Sequence, residues 1–187
     1  MIQLIEVLKP INYALSLISQ STKLNGLIDT VILTAEESLA KHLPKVVPFS
    51  AFIVHAKDHW ITVSNAKPDS EKSDSSNEWI VYDSLNNEKY LKYLKPFFAI
   101  LKKLDPSFNG KYRSVQVIGQ NGSDDCGLFA IAYVLAIANK KDPAKLKFNQ
   151  SKMRSHFNSC VKNQQFVEFE SKAKDLEPVY CNRIFNL

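Results

Sequence analysis

Gln120-Asn121-Gly122-Ser123-Asp124-Asp125-Cys126-Gly127-Leu128-Phe129-Ala130-Ile131-Ala132-Tyr133-Val134-Leu135-Ala136-Ile137-Ala138 is the stretch on which the reading of this chain turns. Its first six residues are polar or glycine, the types that form loops. From Leu128 onward it is apolar or aromatic on all sides, which predicts a helix over residues 126–139 buried in the centre of a domain. The run from Leu128 to Ala138 is too short for a bilayer, which takes about 20 residues, so a membrane span is excluded. A cysteine that opens such a helix lies where unpaired backbone N–H groups and the helix dipole stabilise a thiolate. Cys126 is therefore the candidate nucleophile. The competing reading is a small core residue, since free cysteine is among the most buried residue types. Asp124 and Asp125 would oppose a thiolate if they faced it, so they are read as capping the helix or forming the loop.

Outward from this helix the pattern changes. Residues 113–119 alternate Val115 and Val117 with polar side chains and read as a strand leading into the loop. Before it, residues 87–104 read as helix up to an Asp105-Pro106 stop, and residues 78–85 as a strand carrying Trp79, Ile80, Val81 and Tyr82. Residues 68–77 hold no large apolar side chain and read as a solvated loop. Residues 49–56 and 59–65 read as a hairpin about Lys57-Asp58. Residues 1–43 read as helical entry segments, with Leu24, Leu27, Ile28 and Val31 on one face and Thr34 and Glu37 at capping-box spacing. On the far side, a helix over residues 150–162 aligns Met153, Phe157, Cys160 and Val161, and the remainder is irregular or short strand. Helices first, then several strands, then a buried helix predict an α+β fold, with a mostly antiparallel sheet and the nucleophile on the central helix.

Composition narrows the function classes. The chain has 187 residues, 45% hydrophobic and 23% charged, which fits one folded domain over residues 1–187 and disfavours disorder or low complexity. Three cysteines with no CxxC pair make a disulfide scaffold or a zinc finger poor readings, and neither a metal nor a cofactor is expected. The net charge of +5 comes mostly from lysine, whereas phosphate and base recognition favours arginine forks, so nucleic acid is not the expected partner. The lysine excess suits an acidic protein surface. Residues 1–10 carry Glu6 within their apolar pattern and no small-residue cleavage site, which reads as no secretory signal and an intracellular location, cytoplasm or nucleus.

A cysteine nucleophile needs a base and a group that orients it. Of the four histidines, His59 begins a strand, while His42, His55 and His156 lie at a helix end, mid-strand and on a helix face. Asp83 ends the neighbouring strand and is within reach of a histidine at that strand's start. Singly, each residue has a plainer role; the set is what points to chemistry.

These residues resemble a known family. His59-Trp60, then Asp83 within Val81-Tyr82-Asp83-Ser84-Leu85, then Gln120 six positions before Cys126 are similar to the ubiquitin-like-protease family of cysteine proteases, which includes the SUMO-deconjugating enzymes and the adenovirus proteinase. Asp142-Pro143, residues 153–156 and residues 166–169 also resemble the tails of such domains in invertebrate mobile-element-like proteins. The resemblance implies a papain-like α+β fold in which Cys126 attacks a carbonyl carbon, His59 takes and returns the proton, and Asp83 orients the imidazole. Gln120 would stabilise the oxyanion together with the Cys126 backbone N–H. It also implies that Trp60 helps form a narrow tunnel over a terminal Gly-Gly. The partner wall, an early Trp-Leu-Asn-Asp-like segment in the family, is here Lys23-Leu24-Asn25-Gly26, so Leu24 and Asn25 are the substrate-binding expectations on that side.

The implied activity is a monomeric cysteine isopeptidase that cleaves after the C-terminal Gly-Gly of ubiquitin or a ubiquitin-like modifier such as SUMO or NEDD8. Its alternatives are a polyprotein-processing cysteine endopeptidase of a mobile element or virus, an acetyl transferase, and a non-catalytic modifier-binding module. DNA binding is the weakest of them.

Overall fold

The computed structural model describes residues 50–66, 78–175 and 177–185. The predicted entry helices and capping box, Leu24 and Asn25, and the loop at 68–77 lie outside the described residues.

The sheet begins with the predicted hairpin. Strands β1 (Ala51–Ala56) and β2 (His59–Ser64) are antiparallel, with His55 opposite Trp60 and Ala56 opposite His59. Their two-residue connection sets Lys57 at φ 69. Strand β3 (Trp79–Tyr82) pairs antiparallel with β2, Thr62 opposite Tyr82. Strand β4 (Lys111–Val115) pairs parallel with β3, and β7 (Tyr180–Ile184) closes the far edge antiparallel to β4. The result is an α+β protein with a mixed, mostly antiparallel five-stranded sheet in the order β1-β2-β3-β4-β7.

Both faces of the sheet are covered, so the central strands are buried throughout rather than alternating. Side chains still alternate in direction along a strand. Ala51, Ile53, Trp60, Ile80 and Tyr82 face helix α2 (Cys126–Ala138). Phe52, Val54, Ile61, Val63, Trp79 and Val81 face the other layer. That layer is a 3₁₀ helix (Glu88–Leu94) followed by α1 (Lys95–Leu104), contributing Leu94, Phe97, Phe98 and Leu101. It is the crossover that a parallel β3–β4 pair requires.

Helix α2 answers the expectation of a central buried helix. Phe129 through Ala136 are all buried, and each large side chain withdrawn from water contributes roughly 1.5–3 kcal/mol. Thr62 Oγ1 donates to the carbonyl of Ala130 (3.1 Å), fixing the helix on β2. Helix α3 (Gln150–Lys162) packs on α2 through Met153 and Cys160, as its predicted stripe requires. A small ribbon of β5 (Leu146–Phe148) and β6 (Ser171–Ala173) flanks it.

Two elements depart from the sequence reading. The helix expected at 87–104 is broken in two because Pro96 supplies no N–H and its ring crowds the preceding turn, which tightens to 3₁₀. The strand expected at 113–119 leaves its β3 pairing after Val115, where residues 116–119 turn toward the end of β3. Side-chain bonds described below hold them there.

Candidate active site

His59 and Asp83 come together because of register. Continuing the β2–β3 pairing past Tyr82 sets Asp83 opposite Ile61, two residues from His59 and on the same side of the sheet. The side chains span that diagonal: His59 Nε2 lies 2.6 Å from Asp83 Oδ1. Both residues are buried. Asp83 is itself pinned, with Oδ1 accepting from the N–H of Leu85 (2.8 Å) and Oδ2 from that of Asn87 (3.1 Å). A carboxylate held by two backbone donors keeps one orientation.

Cys126 is the other side chain that acts on the His59 imidazole, favouring its charged form together with Asp83. Burial alone pulls the imidazole pKa down, but the hydrogen bonds to Asp83 and Cys126 and the charges of both outweigh it and raise the value to about 9. At neutral pH the ring is therefore held as imidazolium between a carboxylate and a sulfur.

Cys126 is the first residue of α2, buried, and free of any disulfide. Asp125 occupies the position before it yet makes no side-chain cap. Its carboxylate turns instead to α3, where Arg154 Nη2 is 2.6 Å from Oδ1 and Gln150 Nε2 donates to Oδ2 (2.7 Å). The repulsion that two adjacent aspartates threatened is thus partly neutralised from another helix.

Gln120 is drawn in by the turn after β3. Its N–H donates to the carbonyl of Ser84 (2.8 Å), and the Ser84 hydroxyl donates to its Oε1 (2.6 Å). Asn86 reinforces the seam, donating to the carbonyl of Val117 (2.9 Å) and accepting from its N–H (3.0 Å). Gly119 is required at the crossing, since a Cβ there would lie 2.9 Å from the carbonyl oxygen of Ser84. With Oε1 anchored, the Gln120 amide nitrogen swings over the loop and donates to the carbonyl of Gly122 (2.8 Å). An –NH₂ has two protons, and the bond to Gly122 uses one of them.

Four of the seven residues singled out in the sequence thus share one neighbourhood. Trp60 lies beside it, in the core cluster that contains Cys126, but only 5% exposed and with its ring 4.5 Å from that of His55. It acts as packing first. Leu24 and Asn25 are outside the described residues.

Sequence reasoning missed Tyr90, whose ring centroid is 4.6 Å from that of His59 at 37°. It comes from the 3₁₀ helix and covers the imidazole. No periodic signal marks it, although an aromatic seven residues after a strand-ending aspartate is within reach of that strand end. Among the described residues no group of His, Cys, Asp and Glu has the makings of a metal site, and no helix is long and apolar enough to cross a membrane.

No protein-family model matches the chain, and no curated protein matches it. Among solved structures, one titled "Crystal structure of the de-sumoylating protease" aligns with a TM-score of 0.44 and 14% identity, covering 82% of this chain and 65% of that one. This chain therefore spans less than two thirds of that structure's length.

Proposed function

We propose that this chain is a cysteine peptidase in which Cys126 attacks a carbonyl carbon and His59 holds the proton it releases. The observation that carries the reading is a buried imidazole bonded to a pinned carboxylate and held in its charged form by that carboxylate and by a cysteine at the start of a buried helix. The imidazolium is the general acid, delivering its proton to the leaving amine as the tetrahedral intermediate collapses. Water then attacks the thioester, with the imidazole as general base. The Cys126 backbone N–H and the Gln120 amide face the negative oxygen in both steps.

The substrate we propose is the C-terminal Gly-Gly of ubiquitin or a ubiquitin-like modifier, as the His59-Trp60 and Gln120–Cys126 motifs imply. Propargylamide probes of ubiquitin, SUMO and NEDD8 test it. The expected result is a covalent adduct with at least one probe that is lost in Cys126→Ala. No adduct with any probe, while iodoacetamide still labels Cys126, would overturn the modifier assignment.

The burial of Trp60 favours one second reading, an endopeptidase acting on an extended peptide without a tunnel. Turnover of quenched peptides lacking Gly-Gly, without any modifier adduct, would select it.

A further inference from the structure

Helix α3 reaches the loop between Gln120 and Cys126 with two side chains. Gln150 binds the backbone of Asn121 on both sides, accepting from its N–H (2.8 Å) and donating to its carbonyl (2.9 Å). The same Nε2 donates to Asp125 Oδ2 (2.7 Å). Arg154 Nη2 lies 2.6 Å from Asp125 Oδ1 and donates to the carbonyl of Asp124 (3.0 Å). Asn86 grips Val117 in the same bidentate way, so Gln120 sits between two residues whose backbones are each clasped by a side-chain amide.

We propose that Gln150 and Arg154 are positioning residues for the acyl-transfer site. Gln150 fixes the backbone that carries the oxyanion donor. Arg154 holds the Asp125 carboxylate on α3 and offsets its charge, so that the sulfur one residue later ionises beside a neutralised neighbour. The inference rests on the cysteine-peptidase reading for its purpose, but its electrostatic half concerns only the thiol.

The charged and titratable groups around Cys126 come from several elements. His59 comes from the hairpin, Asp83 from the end of β3 and Tyr90 from the 3₁₀ helix. Asp124 and Asp125 come from the loop and Arg154 from α3. His59 and Arg154 favour the thiolate; Asp83, Asp124 and Asp125 oppose it. Removing Arg154 leaves Asp125, whose side chain is only 15% exposed, with Gln150 as its remaining polar contact. The Arg154 side chain is 65% exposed, so the effect is modest and screened by salt.

The test is the pH dependence of Cys126 alkylation by iodoacetamide, followed on the Cys126 peptide by mass spectrometry at low and high salt. It needs no substrate. Arg154→Ala should move the acid limb upward by about half a unit at low salt, roughly a threefold slower reaction below the limb, and less at 0.5 M salt. Arg154→Lys should restore the limb, and Asp125→Asn in the Arg154→Ala background should remove the shift. Gln150→Ala should lower kcat about tenfold on whichever probe substrate turns over, with KM nearly unchanged.

A limb that stays in place in Arg154→Ala, with an unfolding midpoint that falls alike in Arg154→Ala and Arg154→Lys, would reduce Arg154 to a structural tie. An unchanged kcat in Gln150→Ala would remove Gln150 from the assignment. The underlying peptidase reading fails separately, by alkylation in His59→Ala that equals the parent's at every pH.

Discussion

Two regions meet at this site, and they are ordered by different means. His59 opens β2 and Asp83 directly follows β3, so their approach is a consequence of the antiparallel register of two strands buried on both faces of the sheet. Gln120 and the loop to Cys126 belong to no ladder. They are tied by Ser84 and Asn86 on one side and by Gln150 and Arg154 on the other. A register is enforced by every residue of a strand at once, whereas a side-chain clasp fails with a single substitution. The sheet half should therefore be hard to displace and severe when its chemistry is removed. The loop half should lose rate in graded steps.

The severest test on the sheet side is Asp83→Asn. Losing the orienting carboxylate of a comparable triad lowers turnover on the order of 10⁴-fold, and a loss of that size is expected here. The pH dependence gives an independent check. In the folded protein the His59 pKa is raised from 6.5 to about 9, so its imidazolium binds a proton more tightly than in the unfolded chain. The stability it contributes is fully present below pH 6.5 and is lost as pH rises through about 9. The urea midpoint of the parent should fall across that window, and Asp83→Asn should flatten the fall. Hydrolysis should decline on the alkaline side of pH 9 in the parent and at lower pH in the variant. Parent and variant with the same alkaline limb would break the assignment of charge to this pair.

This division also explains what the sequence disclosed. β1 to β3 and α2 carry dense apolar patterns of distinct period, and His59, Asp83 and Cys126 fall at the ends of those patterns, where chemistry can be inferred from position. The 3₁₀ break at Pro96 and the departure of residues 116–119 from the β3–β4 ladder depended on local competition that periodicity does not register. The clasps are less visible still. Gln150 and Arg154 lie on the polar side of a helix whose apolar stripe was legible through Met153 and Cys160, and they reach residues 25 to 30 positions earlier. Polar contacts made once, between distant segments, leave no repeat to read. Tyr90 escaped for the same reason.

On the loop side, Gln120→Ala removes the proposed oxyanion donor together with its bonds to Ser84 and Gly122. Loss of one such donor lowers kcat about 10²–10³-fold. Because the Gln120 backbone N–H still donates to Ser84, the loop should keep its course and the unfolding midpoint should change little. A variant that loses stability as well as rate would mean that the amide is a structural strut rather than a donor.

Gly119→Ala separates these two possibilities with a smaller change. The added methyl would meet the Ser84 carbonyl oxygen at 2.9 Å and Asn86 Nδ2 at 3.3 Å, and the first of these is backbone that cannot rotate aside. The seam must open, at a cost of about 1–3 kcal/mol typical of overpacking. Opening it stretches the Gln120 N–H bond to Ser84 and moves the amide, while the His59–Asp83 pair remains under strand control. The expected variant is therefore less stable and slower by about tenfold, with the alkaline limb of its pH profile unmoved. A shifted limb would mean that the two regions are coupled through Ser84, the residue directly after Asp83, and that the sheet does not hold its half alone.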